Sequence, residues 1–206
     1  MKTTFPNKTF ILLSSAVLGP LLLTSNATFG QGTVIYDQQS STESDFGGQG
    51  FDIKFYKPMG QSFTPSLDGV GFIRLDLARG TFDQGAIIFL NLRTDSITGA
   101  VLAATSPVSL PVGFIGTVDF LFPTQVAVSP GTTYYFQPII QSGGTFSASG
   151  DNFRYAGGSA FLNGNAVGED LWFREGIIVP EPSSLALLLL GGATTAYVRR
   201  KSKAKN

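Results

Sequence analysis

The chain has 206 residues and contains neither cysteine nor histidine. Without thiols it forms no disulfide framework and no cysteine-ligated zinc site. Without imidazole it supports no catalytic triad or general-base scheme built on histidine. An excess of one charge is also missing, since 14 basic residues offset 14 acidic ones. The balance is uneven along the chain: seven basic residues lie near the ends, leaving residues 31–178 with seven basic against thirteen acidic, a net charge near −6. An acidic body repels a phosphate backbone, which argues against nucleic acid as its partner. A body of this length is ample for one hydrophobic core, so a single domain is expected.

Long apolar runs occur only toward the two ends. Lys2 and Lys8 precede the run from Phe10 to Leu23, which is followed by Ser25-Asn26-Ala27 and Thr28-Phe29-Gly30. The order basic, apolar, small is that of a secretory signal peptide, assigned to residues 1–30 and cleavable after Ala27 or after Gly30. An uncleaved amino-terminal anchor is the alternative, but Gly19-Pro20 interrupts a stretch that is already short. Either reading exports the body and makes the secretion machinery a partner. An exported fold without cysteine is held by its core alone.

At the other end, Pro180-Glu181-Pro182 precedes an apolar segment from Leu185 to Val198, and Arg199-Arg200-Lys201 closes it. The prolines forbid a regular helix or a central strand across the box, so the chain there is expected to be extended and accessible. Residues 185–198 span about 21 Å as a helix, short for a bilayer core of about 30 Å but accommodated by local thinning. The basic end then stays cytoplasmic.

Box, apolar segment and basic tail together resemble the PEP-CTERM sorting signal of Gram-negative bacteria, over residues 179–206. The resemblance implies recognition of Pro180, Glu181 and Pro182 by an exosortase-like membrane protease and transpeptidase, with 185–198 as a transient transmembrane anchor. An ordinary tail anchor with incidental prolines is the plainer alternative.

Residues 31–178 read as strands. Ile73, Leu75 and Leu77 alternate with Arg74 and Asp76; Leu90 and Leu92 oppose Asn91 and Arg93; Val118, Phe120 and Phe122 share a face, as do Tyr134, Phe136 and Ile140. Period two with aromatic and β-branched enrichment marks half-buried strands. Shorter strands are expected at 33–36, 60–64, 101–104, 125–128, 145–148, 153–156 and 171–174, with turns at Gly-, Pro- and Asn-rich points such as Asn163-Gly164. The fold class is therefore all-β, an antiparallel two-sheet sandwich of jelly-roll type, its fifteen Phe, five Tyr and Trp172 filling the space between sheets. The body also resembles exported β-sandwich domains that precede such anchors, through Gln61-Ser62-Phe63-Thr64, Val128-Ser129-Pro130-Gly131 and Asp170-Leu171-Trp172-Phe173-Arg174 among other stretches. Some jelly rolls related to that group bind carbohydrate.

Candidate sites are few. Tyr155 and Trp172 with Asn152 and Asn163 make a sugar site if the loops of 151–174 gather at one edge, rings covering the sugar and amides reading its hydroxyls. A tryptophan inside a strand is more often structural. Asp151, Glu169 and Asp170, and an earlier group of Asp37, Glu43, Asp45 and Asp52, are candidate ligands for structural calcium; neither has the twelve-residue calcium-loop pattern, and no cofactor is otherwise implied. Asp76, Asp119, Glu169 and Glu175 are the carboxylates from which a glycoside hydrolase would draw its pair. The expectation is a non-catalytic, exosortase-processed protein of the cell surface or extracellular matrix, associated with exopolysaccharide or other envelope components. A specific lectin-like module and a carbohydrate-active hydrolase are the alternatives.

Overall fold

The computed structural model describes residues 32–42, 48–79 and 84–180. The expected leader at 1–30 and the expected span at 185–198 lie outside the described residues, and so do Glu181 and Pro182 of the box. Among the described residues every regular element is a strand, and no helix is long and apolar enough to cross a membrane.

The strands form two antiparallel sheets. One runs β1 (Thr33–Gln39), β14 (Phe173–Val179), β4 (Gly69–Arg79), β10 (Phe146–Asp151) and β13 (Asp170–Leu171), with β8 (Ile115–Ala127) on β4 and β2 (Gln49–Asp52) on β10. The other runs β12 (Asn165–Ala166), β11 (Ala160–Leu162), β3 (Gly60–Phe63), β9 (Tyr134–Gly143), β5 (Ala86–Thr94) and β6 (Val101–Ala104), with β7 (Val108–Leu110) on β5. The predicted alternation is realised: Ile73, Leu75 and Leu77, Leu90 and Leu92, and Val118, Phe120 and Phe122 are all buried. Rings dominate the centre, where Phe173 packs on Phe136, Tyr155 and Phe63 at centroid distances of 5.3, 5.2 and 6.4 Å.

Some strand boundaries differ from expectation. Residues 125–128 are not a separate strand; β8 carries through Pro123, and the register against β4 shifts between Val70 and Phe72. A proline contributes no N–H to the ladder, so the chain bulges there and then resumes pairing. Residues 153–156 are not a strand either: Arg154 has φ 60° and the Tyr155 N–H donates to the Asp170 carboxylate instead of to a neighbouring strand. The expected strand at 171–174 is interrupted at Trp172, which divides β13 from β14. The Asn163-Gly164 turn joins β11 to β12 with both residues at positive φ, as a two-residue hairpin requires.

The outer face of the β14–β4 sheet carries a polar and aromatic layer of its own. Arg74 makes two bonds to the Asp119 carboxylate, at 2.6 and 2.8 Å, and donates a third to the Tyr36 hydroxyl at 2.7 Å. The Arg174 guanidinium lies 5.0 Å from the Tyr36 ring centre and 5.5 Å from that of Trp172. Stacked and paired in this way, the two arginines tie β1, β14, β4 and β8 together across the sheet.

Candidate functional site

The four residues expected to hold a sugar are placed apart. Trp172 is 2 % exposed on the outer sheet face, where its indole N–H donates to the Thr42 carbonyl and its ring takes the Arg174 guanidinium. Tyr155 turns inward: its ring meets Phe173 edge-on and its hydroxyl donates to Gln38 Oε1 at 3.0 Å. Asn152 is exposed beside the end of β10, and Asn163 is exposed in the β11–β12 turn.

The structure instead presents Phe55, 73 % exposed, in the loop between β2 and β3. That loop is tightly built. Asp52 Oδ1 accepts the N–H groups of Lys54 and Phe55 and the hydroxyl of Thr145, and the Asp52 carbonyl accepts the Tyr56 N–H. The Asn163-Gly164 turn is pinned to it by the Asn163 N–H on the Tyr56 carbonyl and the Gly164 N–H on the Pro58 carbonyl, both 2.8 Å. Phe55 and Tyr56 meet edge-on with centroids 4.8 Å apart, and the exposed amides of Asn163 and Asn165 stand on the turn bound to the same loop. Two adjacent rings between Lys54 and Lys57, outside any alternating run, were the available sequence signal.

The acidic candidates are absorbed mainly into local structure. Asp170 is buried, accepting from Gln61 Nε2 and from the Tyr155 N–H; Asp151 accepts from the N–H groups of Gly48 and Asn152; Asp119 is closed by Arg74. Glu169 contributes a backbone carbonyl to Ala160. Among the described residues no three acidic side chains converge as a metal site would require, and Glu43 and Asp45 lie outside them.

Glu175 is the exception. On β14 it faces inward beside Phe173 and is wholly buried, and among the described residues neither carboxyl oxygen has a hydrogen-bond partner. Burial first, then the charge of Asp37 and the contact with its carboxylate, push the Glu175 pKa up to about 9. The Gln38 N–H opposes this but is too poorly placed to count as a bond. As a neutral acid, Glu175 offers its own proton to Asp37. Asp37 stays ionised: burial raises its pKa, but donation from Ser66 Oγ and from the N–H groups of Leu67 and Ser66 outweighs this and lowers it. Tyr155, beside this pair, is raised to about 12 by burial first; the Thr64 N–H pulls it back, and the charges of Glu175, Asp37 and Asp170 add smaller upward pushes. Buried acid and half-buried carboxylate thus form a structural contact between β14 and β1.

β14 ends at Val179, whose partner across the ladder is Thr33, the first residue of β1. Pro180 follows at once and is exposed. Val179 and Pro180, both exposed, thus carry the chain out of the sheet at the start of the Pro-Glu-Pro box. Residues 179–201 match the PEP-CTERM protein-sorting motif. No curated protein and no solved structure matches the chain. The PEP-CTERM motif implies an exported protein carrying a membrane-anchoring carboxy-terminal signal and recognised by an exosortase. It begins at the last residue of β14, so the sorting motif and the sandwich share a strand end.

Proposed function

We propose that this PEP-CTERM protein is a non-catalytic surface or matrix protein. Signal peptidase removes residues 1–30, an exosortase-like transpeptidase acts at Pro180–Pro182, and the jelly-roll-like body is delivered to the cell surface or its surrounding polymer. The observation that carries the reading is the sorting motif running directly out of the last strand of the body. Mass spectrometry of the protein from its native cells tests it. The mature chain is expected to start near residues 28–31 and to end near Glu181; chains ending at Asn206 in most molecules overturn it.

Contact with exopolysaccharide is the role we assign to the body, and no cofactor is needed for it. The exposed Phe55 ring, edge-on to Tyr56 in a loop that also binds the turn carrying the exposed Asn163, supports this role, because a ring covers the apolar face of a sugar and amides read its hydroxyls. A lectin-like module with narrow specificity would use the same surface. Burial of Glu175 and the pairing of Asp119 with Arg74 disfavour a hydrolase built on them. In affinity electrophoresis through gels containing the cells' own extracellular polysaccharide, Phe55→Ala is expected to weaken retardation about tenfold. Equal retardation of variant and wild type removes Phe55 from the site.

A further inference from the structure

The ladder that leads into the sorting motif is divided in two. Thr33, Val34, Ile35 and Tyr36 pair with Val179, Ile178, Ile177 and Gly176; the register then shifts, and Gln38 resumes opposite Glu175. The residue passed over is Asp37, which is held instead by Ser66 and Leu67. On the core side of this bulge lie the Glu175–Asp37 contact and the ring cluster. On its far side Val34, Ile35, Tyr36 and Val179 are exposed. Gly176 still pairs with Phe72 of β4 and Tyr36 is held by Arg74 and Arg174, so it is the last three rungs, residues 33–35 against 177–179 with Val34, Ile35 and Val179 exposed, that are placed to open locally.

The β1–β14 ribbon also holds the first residue of the motif, Val179, in its last rung. Proteins that take up extended chain commonly do so through its backbone edge. The edge of residues 177–179 facing β1 is already occupied, and Val179 is both the last paired residue and the first of the motif. We propose that β1 is a clasp on the sorting strand: residues 33–35 must part from residues 177–179 before the motif is processed. The proposal rests on the exosortase reading above. It makes completion of the β1–β14 ladder and uptake of the backbone edge at Val179 mutually exclusive, so processing draws on a partly opened end of the sandwich.

The fit of the ribbon supplies the means to open it. A Cβ added at Gly176 would lie 1.9 Å from the Ile35 carbonyl oxygen, an approach no side chain tolerates, so Gly176→Ala displaces β1 there. Closure is equally accessible. The chain has no cysteine, and Ile35 faces Ile177, so Ile35→Cys with Ile177→Cys creates a single disulfide across a pair whose Cα separation, about 4.5–5.5 Å in an antiparallel ladder, suits one.

The full-length chain is incubated with membranes from its native cells, and carboxy-terminal cleavage is followed by mass spectrometry. Wild type is run under oxidising and reducing conditions beside the variants, to separate effects on the membranes from effects on the substrate. The clasp requires at least tenfold slower cleavage of the oxidised double-cysteine chain relative to wild type in the same buffer, recovery on reduction, and faster cleavage of Gly176→Ala. Cleavage of the oxidised, mass-verified cross-linked chain at the wild-type rate overturns the clasp and leaves the sorting reading intact. Wild type that stays uncleaved in both conditions overturns the sorting reading itself.

Discussion

A Phe173→Ala protein is expected to unfold about 3–5 kcal/mol more easily than wild type. Phe173 is fully buried, and its ring contacts Phe63 and Phe136 from the facing sheet and Tyr155 from the loop after β10. Removing it leaves a cavity that the surrounding strands cannot close, because Phe63 and Phe136 are themselves held in β3 and β9. The loss is large against a typical total of about 5–15 kcal/mol. No disulfide shares the load in a chain without cysteine. Urea unfolding checks it: the midpoint falls with the slope unchanged. Ile115→Ala, at a residue 72 % exposed, is the comparison and is expected to shift stability by less than about 0.5 kcal/mol. Equal shifts in the two variants would disprove the ring cluster as the centre of the core.

Glu175→Gln is expected to remove most of the loss of stability on going from weakly acidic to alkaline solution. In the unfolded chain the carboxyl titrates near its ordinary value of 4.5, whereas in the folded protein it keeps its proton up to about pH 9. Between these values the folded state holds more protons than the unfolded one, so stability falls steadily as pH rises, and the decline from this group ends once the folded form also ionises. Asp37 has the opposite sign. Its lowered pKa contributes stability above its ordinary value of 3.8, and that contribution is lost as pH falls through the folded value. The contribution of this pair is therefore greatest near the two ordinary carboxyl values, and glutamine flattens its alkaline side only. Glutamine keeps the shape of Glu175 and carries a donor but no titrating proton, so the comparison isolates that proton. Thermal unfolding from pH 5 to 9 reads the result; parallel curves for variant and wild type would show that Glu175 is not the buried acid.

The same chemistry bears on the clasp. Glu175 and Asp37 sit at the base of the β1–β14 ribbon, and Asp37 is the residue at which the ladder loses register. A neutral acid beside a carboxylate joins the two strands, whereas two anions there repel each other. Arg174, the next residue on β14, faces the other side of the sheet, where it stacks on Tyr36 and Trp172.

How much was legible follows from the range of each interaction. Alternation reports which residues of one strand share a face, so Ile73, Leu75 and Leu77 could be grouped without knowing their neighbours. It does not report what covers the opposite face. Trp172 and Arg174 occupy an outer face and are buried nonetheless, because the segment at Ser41 and Thr42 lies against them. Phe55 reads as one more apolar residue but stands in solvent, because Asp52 and the Asn163-Gly164 turn hold its loop rigid. Glu175 reads as a solvated acid near a strand end. Its inward direction follows only from the alternation that buries Phe173, and its proton first from that burial and then from the charge of Asp37 arriving on β1.

By itself the sequence determined the class of fold, the faces of the long strands and the sorting motif, since each is written in contiguous residues and needs no distant partner. The tertiary structure alone decided that Asp37 meets Glu175, that Phe55 and not Trp172 is exposed, and that Thr33 closes on Val179. Those are pairings between remote segments, and they come from the order in which strands lie side by side, which no local pattern of residues encodes.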